Sequence, residues 1–323
     1  MYDLITPLGE FNLGTTLRNF KDSDRISLRE HSALTSRQNQ KAYASLNIHL
    51  VKREKNSLTK EWQVFLQGYL QKNMDCLFNS AYSKELPAFV EYISYFIHAP
   101  HCLELLGRLK EKDERNFNLL PAKNHMFIGD YRAKKADIFI SIPENNGIQD
   151  SDRYLSVIVP RLLALTGFFL YQNKGVILLH AAGIRLADSG FLFPAASGDG
   201  KTTIASLSPQ GSVLSDEHMF VGKKDGGYYL FGIPTDGFER NNFESTRLTK
   251  IFDLIKDKKT CVEDISLPSF AVEVILAHLP YACYLNKRLF SRKVKAVNDL
   301  LNTVPVQGLR FRKDRKFIRY LSN

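Results

Sequence analysis

The stretch Ser197-Gly198-Asp199-Gly200-Lys201-Thr202 limits what this chain can fold into more than any other. It lies between a short apolar run and the helix-forming Ile204-Ala205-Ser206-Leu207. Glycines let the backbone bend inward so that successive N–H groups converge, and the following helix adds its dipole. That cradle suits phosphate oxygens. Lys201 is then placed to reach the β- and γ-phosphates of a nucleotide, and the Thr202 hydroxyl to ligate Mg²⁺. The loop departs from Gly-x-x-x-x-Gly-Lys-[Ser/Thr] at its first position, which is Ala195. The candidate binding segment is Ala196, Ser197, Gly198, Asp199, Gly200, Lys201, Thr202 and Thr203.

Fifteen residues beyond Lys201, a short strand pattern at Val213-Leu214 delivers Ser215-Asp216-Glu217. A nucleotide-bound Mg²⁺ takes carboxylate oxygens besides those of phosphate, and two adjacent acids can divide the duties of metal ligand and proton acceptor. Neighbours on a strand end point to opposite faces, so the sequence leaves open which acid does which. His180 ends the apolar run Val176-Ile177-Leu178-Leu179. A lone histidine at a strand end is more often a structural residue.

Composition excludes more than it selects. The chain has 323 residues, 44% of them hydrophobic, enough to bury a core without a disulfide or metal. Cys76, Cys102, Cys261 and Cys283 form no CxxC pair and no Cys/His cluster, which excludes a recognisable zinc or redox motif. The N-terminal residues lack the basic and apolar regions of a secretory signal. Val157 to Leu170, broken by Pro160 and Arg161, is too short to span a bilayer. A soluble, cytoplasmic protein with no membrane insertion is expected. The net charge of +10 is concentrated between Asn286 and Arg319, where eleven Lys or Arg face two acids. Such a patch could attract nucleic acid, but no nucleic-acid-binding signature accompanies it, and a solvated face is the default.

The first 60 residues are polar, with little periodicity before Ala44 to Val51. From Trp62 through Phe65, Leu66, Tyr69, Leu70, Met74, Leu77 and Phe78 the apolar spacing is helical. A second helical run spans Ala88 to Ile97, Asp137 to Ile142 reads as a strand, and Asp152 to Gln172 reads as a helix. We expect an N-terminal, mostly helical domain over 1–150 and a second domain over 151–323. In the second, Ile184–Leu186 and Phe191–Phe193 suggest a hairpin turning at Ala187-Asp188-Ser189-Gly190, and Met219–Val221 with Tyr228–Phe231 suggest another.

Taken together, Gly175-Val-Ile-Leu-Leu-His180, the hairpin, Ser197 to Thr202 and Leu214-Ser-Asp-Glu217 resemble the catalytic domain of the HPr kinase/phosphorylase family. They are most similar to its relatives beside modified-peptide and lasso-peptide gene clusters. The nucleotide site of that group in turn resembles that of PEP carboxykinase. Phe231-Gly-Ile-Pro-Thr-Asp-Gly237, Leu248 to Leu254 and Val304 to Phe311 extend the resemblance over about 150–323. It implies an α/β (α+β) fold with a mixed sheet and a P-loop, with ATP or another nucleoside triphosphate and Mg²⁺ as cofactors. It also implies transfer of phosphate to a Ser or Thr hydroxyl on a peptide or protein, plausibly a precursor peptide. Within it, Asp216 corresponds to the base, Glu217 to the metal ligand, and His180 to a histidine near the transferred phosphate. Arg240 is placed by position to neutralise charge. The loop's Asp199 and the Glu at 217 depart from the bacterial enzymes, and their phosphorolysis signature is missing. The alternatives are a small-molecule kinase (for free serine, for example), a PEP-carboxykinase-like phosphotransferase, a nucleic-acid kinase, or an inactive nucleotide-binding regulator. Homo-oligomerisation is compatible with any of them.

Overall fold

The computed structural model describes residues 2–6, 9–16, 44–52, 57–73, 86–99, 102–111, 117–121, 125–130, 135–142, 175–209, 211–232, 245–279 and 287–321. By contacts the chain divides into two units. The first comprises Met1–Ile5, Gly9–Leu170 and Cys283–Lys287; the second comprises Thr6–Leu8, Tyr171–Ala282 and Arg288–Asn323. The main division thus falls at Leu170, beyond the residue-150 boundary expected. The expected helix over 152–172, Met74, Leu77, Phe78 and Arg240 lie outside the described residues.

The first unit carries β1 (Tyr2–Thr6), β2 (Gly9–Thr16), β3 (Ala44–Lys52), α1 (Lys60–Asn73), α2 (Leu86–Ser94), α3 (Cys102–Glu111), β4 (Phe117–Pro121), β5 (His125–Asp130) and β6 (Lys135–Ile142). Its strands form one mixed sheet in the order β1-β2-β3-β6-β5-β4. Among the described residues three helices accompany six strands, where a mostly helical domain was expected. The physical reason is range. β3 pairs in parallel with β6, His49 opposite Phe139, and a pairing across some ninety residues leaves no local periodicity to read. Leu66 and Leu70 of α1, Ile93 of α2, Phe96 in the turn after it and Leu106 of α3 share one core with Met126, Ile128 and Phe139 of the sheet. Within the sheet, His49 Nε2 pairs with Asp137 Oδ1 at 2.9 Å, and its ring stacks on Phe139.

The second unit contains β7 (Ile177–Leu186), β8 (Ser189–Pro194), α4 (Lys201–Leu207), β9 (Val213–Ser215), β10 (His218–Lys224), β11 (Gly227–Phe231), β12 (Ser245–Lys256), β13 (Cys261–Glu263), α5 (Leu267–Ala277), α6 (Lys287–Thr303) and β14 (Val306–Phe311). A 3₁₀ turn at Arg315–Tyr320 follows. The sheet order is β11-β10-β7-β8-β12-β14-β13, with β9 on β7, and β11 also pairs with β12. That last pairing closes five strands into a ring. The architecture is therefore mixed α/β with mixed sheets.

Two local expectations are redrawn. The runs before and after Ala181-Ala182-Gly183 are one strand, β7, because those small residues are selected by crowding. β8, β9 and β10 all pair with β7, and a Cβ on Gly183 would sit 2.6 Å from Met219 Sδ. Low strand propensity there yields to packing. The first hairpin turns on Ala187-Asp188 alone, with Ser189 and Gly190 already in β8, and Ala187 accepts a positive φ of 50°. The second hairpin turns on Asp225-Gly226, both at positive φ, as a two-residue turn between right-twisted strands requires. The unit's core packs Phe191, Phe193 and Phe252 against Ile204, Leu309 and Phe311, with Phe193 and Phe252 stacked at 5.6 Å.

Candidate phosphate-binding site

β8 runs in the core between β7 and β12 and releases its chain at Pro194 into the glycine loop, which re-enters as α4 at Lys201. Gly198 and Gly200 adopt φ of 93° and 115°, and a Cβ on Gly200 would also overlap the ring of Phe311 on β14. Glycine is required there by conformation and by space together. Ala195 is buried, and it is not one of the described non-glycine residues at positive φ. The site therefore gives no conformational reason for a glycine at 195.

Lys201 is buried inside the loop it follows. Its Nζ donates to the carbonyls of Ala195 at 2.7 Å and Ala196 at 2.9 Å, using two of the three ammonium protons. Burial lowers its pKa, and the charges of Glu217, Asp199 and Asp216 resist that shift. Asp199 turns its carboxylate onto the Ala196 N–H at 3.0 Å, while its own N–H donates to the Ala196 carbonyl. The loop acid thus closes the turn across one of the backbone donors.

The two acids occupy a kink rather than a strand end. β9 and β10 both pair antiparallel with β7, and Asp216-Glu217 form the step between them. Ser215 Oγ holds that step by accepting from the N–H groups of Glu217 and His218. Strand alternation does not apply in a kink, so both carboxylates come within electrostatic reach of Lys201. Asp216 is buried close to the Thr202 hydroxyl; burial and the neighbouring Glu217 charge raise its pKa, and the Thr202 hydroxyl and Lys201 oppose that shift. Glu217 is displaced the other way, well below the usual carboxylate range, chiefly by His180. The His180 Nε2 to Glu217 Oε1 distance of 3.7 Å is long for a hydrogen bond, so the attraction is mainly electrostatic.

Lys201, Thr202, Asp216, Glu217 and His180 are therefore gathered from three separate segments. Thr203 is half-buried on α4. Three groups nearby went unread in the sequence. His218 is the cross-strand partner of His180, with ring centroids 5.9 Å apart. Asp253, on the strand parallel to β8, has a carboxyl pushed up to about 6 by burial and by Glu273, Asp199 and Glu263. His278, fully buried, caps α5 and accepts the His180 N–H on its carbonyl. None carries a local motif; strand pairing brings in His218 and Asp253, and the end of α5 brings in His278.

No family model and no curated protein matches this chain.

Among the described residues, no group of three or more His, Cys, Asp or Glu is arranged to hold a metal ion. Thr202, Asp216 and Glu217 do offer the hard oxygens Mg²⁺ prefers, in a number suited to an ion that brings further oxygens with it. The basic run is less cationic than its count. Lys293 is buried on the Val176 carbonyl with its pKa lowered to about 8, Arg310 is paired with Glu263 and Asp257, and Arg312 is paired with Asp314. No helix among the described residues is long and apolar enough to cross a membrane.

Proposed function

We propose that the second unit is an HPr-kinase-like phosphotransferase that moves the γ-phosphoryl group of ATP to a Ser or Thr hydroxyl on a peptide or protein. One observation carries the reading. A buried lysine, a loop hydroxyl, two carboxylates of oppositely displaced pKa and a histidine converge on one glycine-rich loop.

Groups whose environments separate their proton affinities divide acid–base labour. Asp216, with the raised pKa, takes the acceptor's proton as its oxygen forms a bond to the γ-phosphorus. The bond from that phosphorus to the β–γ bridging oxygen breaks, and ADP leaves. Lys201 exchanges loop carbonyls for phosphate oxygens and offsets their charge. Glu217, kept ionised beside His180, supplies with Thr202 the oxygen donors for Mg²⁺, which would shield phosphate charge when bound. Much of the catalysis in such sites is positioning and charge stabilisation.

A second reading, nucleotide binding without turnover, is favoured by Asp199, whose carboxylate already holds the Ala196 N–H. ATP consumption with and without candidate hydroxyl acceptors separates the two. Lys201→Met should lower transfer by at least about 100-fold with the circular dichroism unchanged. Near-normal transfer in that folded variant would remove the assignment.

A further inference from the structure

The main chain of His180 is fixed at both of its polar atoms. Its carbonyl accepts from Ala195 N–H at 3.4 Å, at the root of the phosphate loop, and its N–H donates to the His278 carbonyl at 2.8 Å. His278 closes α5, its own N–H donating to Val274 O. Its imidazole is fully buried, with Nε2 3.2 Å from Glu273 Oε1 one turn back on α5. Nδ1 is buried without a hydrogen-bond partner among the described residues. A polar ring in such a place is costly compared with an apolar side chain of the same size. The Glu273 contact holds the ring of the same residue whose carbonyl receives the His180 N–H.

We propose that Glu273 and His278 are positioning residues for His180, setting its imidazole against Glu217 through the joint between α5 and β7. The proposal rests on the phosphoryl-transfer reading for its kinetic consequence, but not for its structural one. Neither residue touches the phosphate loop. Burial keeps the His278 imidazole below its ordinary pKa, Glu273 opposes that shift, and the charges of His180 and Lys201 add to it. The ring is neutral at pH 7, with Nε2–H donating to Glu273 and Nδ1 left as an acceptor. An orphaned acceptor is more easily tolerated than an orphaned N–H donor.

The experiment uses the full chain and compares His278→Ala, His278→Gln, Glu273→Ala and Glu273→Gln. The first readout is the His180 imidazole resonance of ¹³C-histidine-labelled protein, assigned by its loss in His180→Asn. The others are Mg-ATP affinity, turnover and melting temperature. Both alanine variants should move the His180 resonance and lower turnover about 10- to 100-fold, as loss of an orienting partner does elsewhere. Nucleotide affinity should stay within about twofold, because the loop contacts are intact. The glutamine variants keep a hydrogen-bonding group at each position and should restore most of the turnover. An unmoved His180 resonance in Glu273→Ala overturns the proposal. So does a loss shared equally by alanine and glutamine variants that only follows melting temperature. If His278→Ala fails to fold, the half-exposed Glu273 pair still decides the matter. Near-normal transfer in a folded Lys201→Met protein would sink the phosphoryl-transfer reading alone, since the resonance is read without nucleotide.

Discussion

At the scale of single residues, the informative contrast is between Asp216 and Glu217, adjacent in sequence and opposite in electrostatics. Asp216→Asn removes the proton acceptor, so turnover should fall about 10²- to 10⁴-fold while Mg²⁺ dependence barely moves. Glu217→Gln removes an ionised oxygen, so half-maximal activity should shift to higher Mg²⁺ and excess metal should partly restore it. A Mg²⁺ titration of both variants is the check. Asp216 lies close to the loop hydroxyl of Thr202, so the reverse pattern would mean that the two duties are exchanged. Stability against pH gives a second pair of opposite signs. Asp253 has its pKa raised from 3.8 to about 6, so it disfavours the folded state once ionised; the penalty builds up as pH rises from about 4 to about 6 and is constant above that. Asp253→Asn should therefore raise the melting temperature at pH 8 and have little effect at pH 3.5. Glu217 has its pKa lowered from 4.5 to about 2, so its contribution is present above about pH 4.5 and is lost as pH falls toward 2. A Glu217→Gln protein should lose stability at pH 7 relative to wild type and converge with it near pH 2.

At the scale of elements, β7 and the N-terminus of α4 illustrate two uses of glycine that read alike in sequence. Gly183 faces the flexible thioether of Met219, whereas Gly200 combines a φ of 115° with the rigid Phe311 ring. A methionine can swing aside and an aromatic ring packed into the core cannot. Gly200→Ala should cost about 2 kcal/mol or more in urea unfolding, from positive-φ strain plus overpacking. Gly183→Ala should cost about half as much. Phe311→Leu added to Gly200→Ala should recover part of the loss, leaving the backbone strain. A Gly183→Ala variant as damaged as Gly200→Ala would show that Met219 is held as firmly as the ring. The kink between β9 and β10 belongs at this scale too, because two strand fragments on one partner strand turn both acids toward Lys201.

At the scale of the molecule, every described member of the site belongs to the second unit, which has its own apolar core. A fragment over 171–323 that folds should keep Mg-ATP affinity within about threefold of the full chain, since each loop contact is internal to it. It should lose transfer to a peptide acceptor if the first unit captures that acceptor. Calorimetric titration with Mg-ATP checks the first point, and loss of binding in a folded fragment would show that the first unit builds part of the nucleotide site.

What the sequence by itself determined is whatever rests on neighbours in the chain. The loop, the helix after it, the Asp225-Gly226 hairpin and the helical spacing from Trp62 to Leu70 are all short-range, and each is recovered in place. Propensity misled where packing outweighed it, as at Ala181-Ala182-Gly183. The tertiary structure alone decided the rest. The sheet of the first unit joins segments some ninety residues apart, and the kink at Asp216 removes the alternation that left the two acids' directions open. His278 meets His180 only because α5 ends against β7. Lys293, one more cation in the basic run, is buried because α6 brings it onto the Val176 carbonyl. Side-chain chemistry is written locally, but burial and proton affinity depend on what the fold brings alongside, and no local pattern carries that.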